Sequence, residues 1–516
     1  MEGTIYSLIP PVLMLILVLL TRKVLLSLGA GIIVGALFIH QFNILEFLKE
    51  IWRSFASIFV DDGSFDGGNL LLVGFLLMLG IMTAFITASG GSHAFGDWMI
   101  KRVKTRVGAQ VMTAILGIII FIDDYFNALA VGQVARPLTD RHRVSRAKLS
   151  YYIDSTSAPV AVLSPISSWG AYIIGLLGSL FAANQITNIQ PFEAFIKMIP
   201  YNFYAIAAVI LVFLVAFMKF DMGPMRKHEN RAVQTGEVVD PNKKVPGDLS
   251  ETFTPHQNGR VYHLIVPIVV LVVATVAMMF ITGIKESGEV GFLQVFANTN
   301  VNVSLFIGGL LAVISSLIFH LRSSHPRASL TMIVIEGVKA MLPAIYILVL
   351  AWMIGSIIGT LETGSYLATL VDNASISTTL LPFLFFIIAG FMALATGTSW
   401  GTFAIMLPIA VDVTLGADIN MLLPTLAAVL SGSVFGDHCS PISDTTILSS
   451  TGAGVQHIDH VLTQIPYAML AALVSCIGYL IIGWTNYMIL ALATAIIILV
   501  AIGFLFQFIE KTKVEN

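Results

Sequence analysis

Apolar runs long enough to cross a hydrocarbon core of about 30 Å begin near residues 5, 24, 69, 107, 191, 262, 302, 341, 379, 466 and 488, and recur almost from end to end. Inside lipid every backbone N–H and C=O must be satisfied within the chain, so such runs are predicted to be helices. Composition agrees: 57% of residues are hydrophobic and only 11% charged, against roughly 25% charged in a soluble domain. The fold class expected is therefore an all-α polytopic membrane protein, with the bilayer as the common solvent of one membrane domain. The first run, MEGTIYSLIPPVLMLILVLL, has neither a basic n-region nor a small-residue cleavage site, so it is read as a retained helix and not as a signal peptide. A net charge of -3, with Lys and Arg confined to loops, gives no reason to expect a nucleic-acid partner. Cys439 and Cys476 stand far apart in apolar stretches and offer neither a disulfide framework nor metal-ligand spacing. No cofactor is expected.

One long hydrophilic stretch, residues 220–260, has the composition of a flexible linker. It divides the chain into a first transmembrane repeat (1–219) and a second (261–516). Four matches recur in the same order in both halves. Tyr6-Ser-Leu-Ile-Pro-Pro resembles Tyr262-His-Leu-Ile-Val-Pro, Ser27-Leu-Gly-Ala-Gly resembles Ser304-Leu-Phe-Ile-Gly, and Gly80-Ile-Met-Thr resembles Gly355-Ser-Ile-Ile. Last, Asp154 followed by Ser164-Pro165-Ile166-Ser167 answers Asp437 followed by Ser440-Pro441-Ile442-Ser443. Short loops rich in Lys and Arg stay in the cytoplasm. That rule places Arg22-Lys23, residues 101–106, residues 141–148 and the linker inside, and the stretches from Asp61 to Asp66 and from Glu286 to Glu289 outside. On this map the repeats are inverted, the architecture of alternating-access transporters; a duplication kept only for packing is the plainer alternative.

Buried charge decides between them. A carboxylate at a helix centre costs about 2.5–3.5 kcal/mol on insertion scales. Asp123, Asp124, Asp154, Asp437 and Asp444 all fall in or beside apolar segments, a combined cost of roughly 12–18 kcal/mol that ion binding would offset. Asp123 and Asp124 could instead mark a water-exposed helix end; on a helix, adjacent residues diverge by about 100°, so only one of them would face the centre. Asp154 could be an N-cap for the segment after it, with Pro159 disrupting a regular helix. The surroundings of Asp437 and Asp444 are more specific, with small residues Gly432, Ser433 and Gly436 ahead and His438, Ser440, Pro441, Ser443, Thr445 and Thr446 around them. Pro441 should break its helix, and Ser164-Pro165 should break a helix of the first half, so that two broken segments or re-entrant hairpins meet near the midplane.

Freed carbonyls, hydroxyls and a carboxylate are the hard oxygen ligands that an alkali cation needs. Sodium is assigned to Asp437, Ser440 and Thr445, with Ser443, Ser164, Thr398 and Ser399 lining the site. A buried carboxylate holds either a cation or a proton, so Asp437, Asp444 and Asp154 are the proton-coupling candidates. His438 could share that proton or be a packed histidine bonded to backbone. The cluster Thr396, Thr398, Ser399 and Thr402 suits a pore or close helix packing; Arg136 could pair with a carboxylate or lie at the cytoplasmic interface.

At these residues the chain resembles the NhaC-type sodium/proton antiporter family. The resemblance is carried by Gly397-Thr-Ser-Trp-Gly-Thr-Phe, by Phe435-Gly-Asp-His-Cys-Ser-Pro-Ile-Ser-Asp-Thr-Thr, and in support by Phe121-Ile-Asp-Asp-Tyr-Phe-Asn. It implies sodium or lithium extrusion in exchange for protons across a bacterial cytoplasmic membrane, with acidic roles at Asp154, Asp437 and Asp444 and, less firmly, at Asp123 and Asp124. Relatives that exchange sodium plus lactate for protons plus malate put a second function in view: sodium-coupled transport of a small organic anion or amino acid, served by Trp169, Trp400 and Arg136. A third, an intramembrane enzyme using His438 and Cys439, asks two adjacent residues for a geometry they rarely supply. No phosphate-binding glycine loop or ATP-hydrolysing domain is present, which excludes primary pumping. The residues leave open whether copies associate as a homo-oligomer.

Overall fold

A computed structural model describes residues 2–515 except 22, 62–63, 66, 122, 166, 244–258, 289, 323–327, 364–365, 367–368 and 370–376. Arg22, Asp62, Asp66, Ile122, Ile166, Glu289 and the middle of the linker thus lie outside the described residues. Apart from a two-residue antiparallel ladder that pairs Val60 with Phe65 and Asp61 with Ser64, its regular structure is helical. Among the described residues nine helices are long and apolar enough to cross a membrane, or eleven if each of two bent pairs is one span. The outer helices expose apolar side chains such as Val273, Leu473, Ile489, Ile497 and Phe504, while all five aspartates singled out above face inward. That is the arrangement a hydrocarbon solvent selects.

Several of the sequence-based spans change shape, and those near 5 and 24 form only the shorter helices Ile9–Thr21 and Val24–Ile39. The run near 107 forms only the 14-residue helix Arg106–Ile119, about 21 Å at 1.5 Å per residue and too short to span. It turns back into Asp124–Arg141, and Arg106 Nε donates to Arg143 O at 3.3 Å, so both ends of this hairpin lie on the same side. The run near 191 is bent by 50° between Pro191–Tyr201 and Phe203–Met218. The run near 466 begins nine residues earlier, as the helix His457–Thr485, because its first turns face protein instead of lipid and tolerate His, Asp and Gln.

The chain breaks where side-chain chemistry requires it to. A residue before proline is driven out of the helical region. Ser164 and Ser440, both preceding proline, adopt nearly the same extended conformation, φ -96° and ψ 121° against φ -85° and ψ 124°. Each ends a helix, Arg146–Leu163 or Leu422–Cys439. The last serine of each motif then starts the next helix by capping it: Ser167 Oγ accepts from Gly170 N at 2.9 Å and Ser443 Oγ accepts from Thr446 N at 3.3 Å. The preceding break in each half is capped in the same way, by Asp123 on Phe126 N at 2.9 Å and by Thr398 on Gly401 N at 3.4 Å. Such caps satisfy amides that would otherwise be orphaned away from water. Gly432 and Gly436 serve packing: a Cβ on Gly436 would lie 2.0 Å from Gly390 O and one on Gly432 2.2 Å from Phe386 O, so Leu422–Cys439 and Leu381–Thr396 touch backbone to backbone.

The hydrophilic stretch is more ordered than its composition suggests. Pro224–Thr235 is a helix whose Met225, Glu229 and Ala232 are buried. Glu229 accepts from Ser145 N at 2.8 Å and pairs with Arg106 and, at 3.2 Å, with Lys148, which also reaches Asp221 at 2.6 Å. These contacts clamp the segment to the open ends of the hairpin and of the first broken helix. Burial alone would raise Glu229, but Lys148, Arg106 and the Ser145 amide together hold it below the usual glutamate range. A lowered acid stabilises the folded state above its unfolded pKa and loses that contribution as the pH falls through its folded one. Asp221, raised by burial and by Glu229 against the pull of Lys148, opposes this in part. Limited proteolysis of residues 224–235 is therefore expected to be equally slow at pH 7 and pH 5.5, and to accelerate only below the ordinary glutamate range of about 4 to 5.

Candidate functional site

The four breaks converge. Ser168, at the head of Ser168–Ala183, donates to Asp123 Oδ2 at 2.9 Å, tying the hairpin tip to the first Ser-Pro break. Trp169 beside it packs edge-on against Trp400 and Phe403 of Ser399–Ala417, with ring centroids 5.8 and 5.6 Å apart. Tyr125, in the first turn after the hairpin tip, donates its hydroxyl to Asp444 Oδ2 at the second Ser-Pro break. Asn127 braces the tip by donating to the carbonyls of Gly117 at 2.6 Å and Ile120 at 2.7 Å, two acceptors that the interrupted helix leaves free.

Asp437 sits in the last turn of Leu422–Cys439 and is 1% exposed. Its Oδ2 accepts from Ser399 Oγ and from Thr445 Oγ1, both at 3.2 Å, and Thr445 is in turn 2.9 Å from Ser443 Oγ. Its Oδ1 has no hydrogen-bond partner among the described residues. A buried carboxylate oxygen left open beside three hydroxyls presents only hard oxygen, the coordination that suits an alkali cation. Asp444 lies on the other side of the break, at the start of Asp444–Ala453, and borders a cavity of about 350 Å³ together with Thr396 and Thr398. Asp124 is 2% exposed, lies within electrostatic reach of Asp123 and Asp444, and also has one oxygen without a partner among the described residues.

Several expectations are revised. Asp123 is an N-cap with extended backbone, φ -153° and ψ 139°, so the divergence of neighbours on a helix does not apply and both Asp123 and Asp124 are buried. Asp154 is not a cap: it lies mid-helix in Arg146–Leu163, which continues through Pro159. Nor does it answer Asp437 position for position, since the two stand at different heights above their Ser-Pro breaks. It accepts from Ser449 Oγ at 3.0 Å, Thr446 Oγ1 at 3.3 Å, His460 Nε2 at 3.1 Å and Gln464 Nε2, which makes it a junction of three helices. Ser440, grouped with Asp437 and Thr445 on sequence grounds, donates to Leu394 O at 2.9 Å, and it is Ser399 that donates to Asp437 beside Thr445. At the first break the carbonyl of Ser164 accepts from Ser167 Oγ at 2.9 Å. His438 reaches Tyr204 through Nδ1 at 3.0 Å while its backbone carbonyl accepts from Gln464. Arg136 lies against Gly454, at the far end of Asp444–Ala453 from Asp444, where a cation complements the carbonyl end of the helix.

Sequence reading passed over His460 and Gln464. Their four-residue spacing on one face at the head of an apolar helix was the available signal. The polar residues His457, Asp459, His460 and Gln464 hide it, because the apolar run itself begins after them.

Residues 160–484 match the Na+/H+ antiporter family. The chain is 45% identical over 510 residues to an uncharacterized protein of Haemophilus influenzae, covering 98% of this chain and 95% of that one. It is 30% identical over 193 residues to a malate-2H(+)/Na(+)-lactate antiporter of Bacillus subtilis, covering 37% of this chain and 39% of that one. A further protein of Haemophilus influenzae, an uncharacterized Na(+)/H(+) antiporter, is 34% identical over 145 residues, which is 27% of this chain and 30% of its own. The match spans the second half with its capped breaks, Asp437 and Asp444, and it begins only after Asp154. This multi-pass membrane protein, a secondary antiporter and not an enzyme, belongs to the Na+/H+ antiporter family.

Proposed function

We propose that the chain exchanges sodium for protons across the bacterial cytoplasmic membrane by alternating access, and that the two halves are inverted repeats which rock about the four breaks. The observation that carries this reading is the Asp437 carboxylate, buried with Oδ1 unpartnered among the described residues and with the hydroxyls of Ser399 and Thr445 on its other oxygen. In that position it is neutralised by one sodium or one proton, never by both. If the halves exchange conformations only when it is neutral, the two ions move in opposite directions and neither leaks alone. Asp444 and Asp124 carry the approach to Asp437, and Asp154 holds the frame. The test is the internal pH of proteoliposomes on addition of sodium alone.

A second reading, sodium-coupled exchange of a small organic solute, is supported by the relative named for malate and lactate. In that case sodium moves protons only when the solute is supplied.

A further inference from the structure

The cavity bordered by Asp444 is larger than ion exchange requires. About 350 Å³ corresponds to roughly ten waters at about 30 Å³ each, and it falls inside the usual range of small-molecule sites. Asn69, Trp352, Ser356, Thr396, Thr398 and Asp444 line it and are all partly exposed, so a ligand has access from outside the protein.

The charge of that lining is one-sided. Among the described residues Asp444 is its single ionisable side chain, and Lys, Arg and His are absent from that lining. Thr396 spends its hydroxyl proton on Met392 O at 2.9 Å and presents only an acceptor lone pair. Asn69 donates one amide proton to Ile58 O at 3.2 Å. Asp444 accepts from Thr445 N at 2.8 Å and from Tyr125, and a carboxylate has further acceptor sites to spare. One negative charge, with hydroxyl oxygens beside it that can accept, suits a ligand that is positively charged and donates. An ammonium group is such a ligand, with three N–H donors and no acceptor. Trp352 adds an indole face for the carbon chain or the cation. A carboxylate ligand meets the opposite: like charge at Asp444 and no cationic side chain among the described residues of the lining.

We propose that the cavity beside Asp444 binds a small organic ammonium cation, with its charge on the Asp444 carboxylate and its carbon chain against Trp352. This goes beyond sodium–proton exchange and does not depend on it, because binding is measured in the absence of sodium and of any gradient.

The test uses three five-carbon probes of matched length: cadaverine, pentanediol and glutarate. Each is titrated into the purified full-length protein in nanodiscs, in sodium-free potassium buffer, by calorimetry and by thermal melting. Cadaverine is expected to bind saturably and to raise the melting temperature, at an affinity at least tenfold above pentanediol, and glutarate not to bind. Gly355 supplies the control of location, because a Cβ there meets nothing within 4 Å. Gly355→Leu fills the cavity from a helix position and is expected to weaken cadaverine binding at least tenfold. Trp352→Ala is the second variant and is expected to weaken it several-fold if Gly355→Leu does not fold. Equal binding of pentanediol, any preference for glutarate, failure of all three to bind, or cadaverine binding that both variants leave intact would each overturn the proposal.

Discussion

Asp437→Asn is expected to reduce sodium-dependent proton movement at least about 100-fold while leaving the protein inserted and melting like the wild type. The two halves of that expectation come from the same contacts. Ser399 and Thr445 approach Oδ2 as hydroxyl donors at 3.2 Å, and the amide oxygen of Asn accepts from both, so the fold loses little. What is lost is the charge. A buried cation deprived of its carboxylate partner costs about 3–5 kcal/mol, and at 1.4 kcal/mol per tenfold the lower figure already exceeds a factor of 100. Asn also carries no exchangeable carboxyl proton, so both ions lose their site together. Wild-type exchange by this variant would remove Asp437 from the mechanism.

The opposite pattern is expected at Asp154. Four side chains from two other helical segments, Ser449, Thr446, His460 and Gln464, donate to its carboxylate, which is 0% exposed. Ser150 stands 2.8 Å from the other nitrogen of His460 and extends the junction back to the helix that carries Asp154. Asp154→Ala leaves Ser449 and His460 Nε2 without an acceptor, while Thr446 and Gln464 keep only Asp437 O at 3.4 Å and His438 O at 3.0 Å. Each buried orphan costs about 1–3 kcal/mol, and even with partial relaxation the total is on the order of 3–5 kcal/mol. The variant should therefore accumulate poorly and melt well below the wild type, with transport falling in proportion to the folded protein. A variant that melts normally yet fails to transport would instead identify Asp154 as an ion carrier. Comparing the two aspartates in one assay separates a carboxylate held open for a ligand from one saturated by the fold.

Much of this was legible in the sequence. Lipid forces helices, and the Ser-Pro-Ile-Ser motifs announce both breaks because the residue before proline is disfavoured in the helical region and the second serine caps the helix that follows. The capping serines follow from the same motif. What could not be read is which way short side chains turn once helices pack. Ser440 and Ser399 are equally hydroxylated, and only the approach of Leu381–Thr396 gives Ser440 a carbonyl to bond and leaves Ser399 to Asp437. The role of Asp154 depended on His460 and Gln464, more than 300 residues away in sequence. The linker helix escaped notice because its anchor is a buried ion cluster, whose members look like ordinary solvated charges in a sequence.

The internal pH of proteoliposomes carrying the purified protein, followed after external sodium is added with no organic solute present, tests the central claim most directly. Sodium alone is expected to raise the internal pH as protons leave, and the Asp437→Asn protein to give no change. No response to sodium, with a response appearing once malate, lactate or an amino acid is supplied, would contradict simple sodium–proton exchange and establish an organic solute as an obligatory part of the cycle.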